Sequence, residues 1–147
     1  MSIFVNSITN ALYTTIASDT TIVDSGVTVC LNDIFNSDPN LTPWIGVYAG
    51  DDTHEPERLV AGKRPWKAEL ELQVFIQTAG YDYSPAEAQD DLQRLWTVVH
   101  SAIGSNLDLS NTVRNMTSIS NNAFERDITD NDAFFTNLVT IIVEVDT

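Results

Sequence analysis

The stretch Trp66–Thr78 reads WKAELELQVFIQT and alternates between apolar and polar residues along almost its whole length. One set of alternate positions is entirely apolar and consists of Trp66, Ala68, Leu70, Leu72, Val74 and Ile76. The other set is mostly charged or polar and consists of Lys67, Glu69, Glu71, Gln73, Phe75 and Gln77. This period of two predicts a β-strand with one buried face. At about 3.3 Å per residue the strand spans roughly 40 Å, so we expect part of it to project beyond the core.

A second long strand is predicted for the apolar stretch Phe134–Val145. One face carries Phe135, Val139, Ile141, Val143 and Val145, and the other carries Phe134, Leu138 and Ile142. A strand that is apolar on both faces must be covered on both. A chain of 147 residues with two helices cannot easily provide that cover. We therefore expect a neighbouring subunit to complete it.

Two helices are predicted. Ser2–Ser18 has apolar residues at helical spacing, and Asp19–Thr21 ends it. The second helix begins with a capping box, in which Ser84 precedes Pro85 and Glu87, and ends at Gly104. Its apolar stripe consists of Leu92, Leu95, Trp96, Val99 and Ile103.

Shorter strands are predicted at Val27–Leu31, Pro43–Tyr48 and Val113–Ile119. The polar stretches Gly50–Pro65 and Ser120–Asp132 are interpreted as connections. The elements together predict an α+β fold in one domain, residues 1–147. Its core is a single mixed, mostly antiparallel sheet of about four to five strands, flanked by two main helices, with a long projecting loop or hairpin.

The composition excludes several classes of protein. Asp and Glu number 21 against 7 Lys and Arg, which gives a formal net charge of −14. This excludes a general electrostatic DNA binder and a protein held on an anionic membrane by its overall charge. We expect no export signal, because the first basic residue is Arg58, and no membrane span. The single cysteine, Cys30, cannot form an internal disulfide.

Metal and nucleophile motifs are missing from the sequence. His54 and His100 do not have the spacing of a metal site, and the acidic residues Asp127, Asp130 and Asp132 lack the glycine of a calcium loop. Phosphate-binding and serine-nucleophile motifs are also missing. We therefore expect no metal, no cofactor and no catalytic residue.

One carboxylate pair keeps a hydrolase open as an alternative. Glu69 and Glu71 share a strand face and lie roughly 7 Å apart, a separation found in glycosidases. Their neighbours Lys67 and Gln73 indicate a solvated surface instead. A hydrolase that uses this pair is therefore the least favoured interpretation, and we expect the protein not to be an enzyme.

Four of the seven cations lie close together in the sequence: Arg58, Lys63, Arg64 and Lys67. This cationic cluster is either a solvated loop or a docking loop for an acidic partner surface or a DNA backbone. Charge complementarity alone leaves the two interpretations open.

The order of elements resembles a known family. The run Ala88–Ile103, AQDDLQRLWTVVHSAI, is followed by Asn106–Val113, NLDLSNTV, and preceded by the strand Trp66–Thr78. From Pro43 onward this pattern resembles the tail terminator (tail-completion) proteins of long-tailed bacteriophages. The resemblance lies in the pattern of elements more than in residue identity.

The resemblance implies a structural virion protein. Such proteins form a hexameric ring on the last ring of the tail tube protein, stop tube polymerisation and offer a surface to the head connector or stopper protein. DNA passes through the bore without specific binding. The implied location is the head–tail junction of the virion, after assembly in the host cytoplasm. Another neck component, such as a head-completion or stopper ring, is the alternative.

The surplus of apolar residues and the cationic cluster predict the partner interface. It consists of Arg58, Lys63, Arg64, Lys67, Phe75, Phe134, Leu138 and Ile142. We expect the bore to be mainly acidic, because an acidic lining repels DNA phosphates rather than binding them.

Overall fold

The computed structural model shows an α+β fold and describes residues 2–31, 43–56, 66–80, 85–128 and 132–146. The helices are α1 (Ser2–Ala17), α2 (Thr20–Ser25) and α3 (Pro85–Gly104). The strands are β1 (Thr28–Leu31), β2 (Trp44–Pro56), β3 (Trp66–Gly80), β4 (Asn115–Ile128) and β5 (Ala133–Asp146).

The five strands form one sheet in the order β1-β2-β3-β5-β4. β1 is parallel to β2, and every other pair is antiparallel, so the predicted mixed, mostly antiparallel sheet is confirmed. β3 lies in the middle. It pairs with β2 from Trp66 to Gln77 and with β5 from Lys67 to Gly80, so its neighbours accompany it along nearly its whole length.

The hydrophobic core lies between the helices and one face of the sheet, which we call the first face. β3 contributes Leu70, Leu72, Val74 and Ile76, which are at most 1% exposed. The helices and the other strands contribute Ile8, Leu12, Ile16, Ile22, Ile45, Val47, Leu92, Val99, Ile103, Val139, Ile141 and Val143. The alternation of Trp66–Thr78 therefore produces the buried face expected from it.

Helix α3 matches its prediction closely. It begins at Pro85 and ends at Gly104, and Leu92, Leu95, Val99 and Ile103 are buried; Ser84 lies outside the described residues. The Thr78 hydroxyl donates a hydrogen bond of 2.6 Å to the Ala88 carbonyl, which ties the end of β3 to the first turn of α3. Within the described ranges, no helix is long and apolar enough to cross a membrane.

A short helix, α2, follows α1 at the position where the sequence predicts only the end of the first helix. Asp19 is the N-cap of α2, and its carboxylate accepts from the backbone N–H of Thr21 at 3.0 Å and of Ile22 at 3.2 Å. Gly26 ends the helix in a left-handed conformation with φ 74°. Six residues are too few to show a helical period, so the cap was the informative signal.

The prediction of a loop from Gly50 was wrong, because β2 continues as a strand to Pro56. It forms a long hairpin with β3, and residues 57–65 between them lie outside the described residues. A β-bulge lies between Ala49 and Asp52. A Cβ atom on Gly50 would lie 3.2 Å from the Glu71 carbonyl oxygen, so the bulge brings the two backbones close together.

The prediction of a turn-rich connection from Ser120 was also wrong, because β4 continues to Ile128. β4 is an edge strand that pairs only with β5 within the described chain. Its residues from Asn122 to Ile128 are all exposed, so no buried face imposes an alternation on the sequence. Hydrogen bonding to β5, rather than burial, determines that this polar run is extended.

Candidate interaction surface

The face of the sheet opposite the core carries the apolar residues predicted for the interface. We call it the second face and define it by Phe75, Phe124, Phe134, Leu138 and Ile142. Phe75 lies directly opposite Leu138, while Phe134 and Ile142 occupy other positions of the same face of β5. The structure therefore brings all four predicted apolar residues onto one face of two adjacent strands.

Phe75 is buried on the second face by a neighbouring aromatic ring. It is 4% exposed, and its ring meets that of Phe124 edge-on with centroids 5.2 Å apart. Phe124 is itself 49% exposed. Phe124 thus shelters Phe75 and presents its own remaining surface to solvent.

Sequence reasoning missed Phe124. The residue lies at the second β-bulge of β4, between Ala123 and Glu125. It is the only large apolar residue between Ile119 and Ile128, and that isolation in a polar stretch was the available signal.

Polar side chains surround this apolar centre. The Gln77 amide donates to the Thr136 hydroxyl at 3.5 Å on the same face. Leu138 and Ile142 are partly buried. An apolar centre with a polar rim is the composition of a protein–protein contact surface.

Acidic side chains occupy the other end of the second face. Glu69 is exposed and lies directly opposite Glu144 in the register, and Glu71 lies two residues along the strand. No group of three potential metal ligands occurs among the residues whose structure is described. Glu69 therefore presents negative charge to solvent, which favours electrostatic repulsion of anions over carboxylate catalysis in a cleft.

A polar network on the first face secures the outer half of β4. Arg126 donates to the Thr136 carbonyl and to the Asn137 side-chain oxygen, both at 2.9 Å, and lies over the Phe135 ring at 4.7 Å. The Asn137 amide donates in turn to the Asn121 side-chain oxygen at 2.9 Å. These contacts tie β4 to β5 on either side of Phe124 and so fix the position of that ring.

Most of the cationic cluster lies outside the described residues, namely Arg58, Lys63 and Arg64. Lys67 belongs to β3, where its backbone pairs with Glu55 and Asp146. The assignment of the cluster to an interface remains a prediction.

Comparisons with known proteins show a likeness to solved structures. No family model matches the chain, and no curated protein does. Among solved structures, a chain from the virion of a native gene transfer agent particle is similar, with 11% sequence identity and a TM-score of 0.39. The match covers 92% of this chain and 93% of that chain. A likeness with a TM-score of 0.39 carries no functional argument.

Proposed function

We propose that this chain is a structural protein of a phage-type virion that assembles with copies of itself into a ring. The observation that carries the proposal is the second face, where Phe124 is 49% exposed beside Phe75 and partly buried Leu138. Exposed aromatic residues grouped with other apolar side chains are characteristic of contact surfaces between proteins. A neighbouring copy would cover the part of Phe124 that this chain leaves exposed.

The charge supports a conduit for DNA. A ring of several copies multiplies the formal charge of −14 carried by each chain. Glu69, Glu71 and Glu144 show that acidic residues gather on one end of the sheet. An acidic lining would repel the phosphates of passing DNA, so the DNA would move without being bound.

The specific role that we propose is that of a tail terminator, a hexameric ring at the head–tail junction. It would end polymerisation of the tail tube protein and join the tail to the head connector or stopper protein. The order of elements from Pro43 onward supports this assignment through its resemblance to that family. In this role the cationic cluster Arg58–Lys67 would face protein partners rather than the bore.

Negative-stain electron microscopy of the purified protein tests the ring, with sedimentation velocity over a range of concentrations alongside it. We expect particles with a central hole and a discrete oligomer. Monomer alone, even when the protein is mixed with assembled tail tubes, would contradict the proposal.

A deletion in the parent phage separates the terminator from a stopper ring. Loss of a terminator gives tails that run past their normal length. Loss of a stopper gives tails of normal length attached to heads that fail to retain DNA. Both outcomes are visible in the same micrographs.

A further inference from the structure

We draw no further inference here: the strongest candidate, the largely exposed outer edge of strand β4 from Asn115 to Phe124, is interrupted by two β-bulges, and nothing in the structure shows what covers it.

Discussion

The two faces of the sheet differ in how completely the chain buries them. On the first face, Leu72 and Ile141 are fully buried in the hydrophobic core. On the second face, Phe124 shelters Phe75 yet remains half exposed itself. Successive residues of β3 therefore have different surroundings, since one set is buried in the core and the other set lies on the second face.

Truncation of a first-face residue should give the largest effect on stability. Leu72→Ala removes a fully buried side chain from the middle of the core, and we expect the free energy of unfolding to fall by about 2–5 kcal/mol. Urea denaturation followed by circular dichroism measures the change. The neighbouring substitution Gln73→Ala, on the second face, is the control and should cost less than about 1 kcal/mol. Equal losses would contradict the distinction between the faces.

A substitution in the polar network of the first face tests whether its hydrogen bonds stabilise the pairing of β4 with β5. Asn137→Ala leaves Arg126 and Asn121 without the partner that they share, so we expect a loss of about 1–3 kcal/mol. The matched control is Asn122→Ala, an exposed asparagine on the second face, with an expected change within about 0.5 kcal/mol. If both variants unfold at the same urea concentration, the network contributes nothing to stability.

Truncation of a residue on the second face should affect self-association more than it affects stability. Phe124→Ala loses an aromatic pair worth about 0.5–1.5 kcal/mol, so the folded chain should be weakened only modestly. Self-association should fall at least about tenfold, because exposed aromatic residues dominate many contact surfaces. Sedimentation velocity compares it with Leu107→Ala, which removes another exposed apolar side chain away from this face. Equal association of the two variants would count against the second face.

Ionic strength should give the smallest effect. Each chain carries a formal charge of −14, so copies repel one another until salt screens them. We expect the association constant to rise a few-fold between about 0.1 M and 0.5 M NaCl, since the Debye length shortens from about 10 Å. A fall over the same range would show that attraction between opposite charges holds the copies together, and would implicate the cationic cluster.

Regular burial is the part of this fold that the sequence predicts well. Leu70 to Ile76 alternate because one face of β3 meets the helices, and Leu92, Val99 and Ile103 recur at helical spacing because one side of α3 meets β3. Burial of one face requires apolar residues at every second position of a strand, or at steps of three and four in a helix. Such a repeat is visible in a single sequence.

Pairing without burial is the part that local sequence does not reveal. Asn122 to Ile128 form a strand because β5 lies beside them, and residues 50–56 form a strand because β3 does. The partners lie elsewhere in the chain, so neither polar stretch carries a local signal of its own. The contact of Phe124 could not be predicted for the same reason, because its partner Phe75 lies two strands away in the sheet.

The position of β3 at the middle of the sheet also bears on synthesis of the chain. β3 ends at Gly80, and its partner β5 does not begin until Ala133, so helix α3 and β4 leave the ribosome between them. During that interval the edge of β3 that β5 will occupy has no native partner, and newly made chains with open apolar strands are prone to aggregate. Slow translation or crowding of nascent chains should therefore lower the soluble yield more than the stability of the finished fold would suggest.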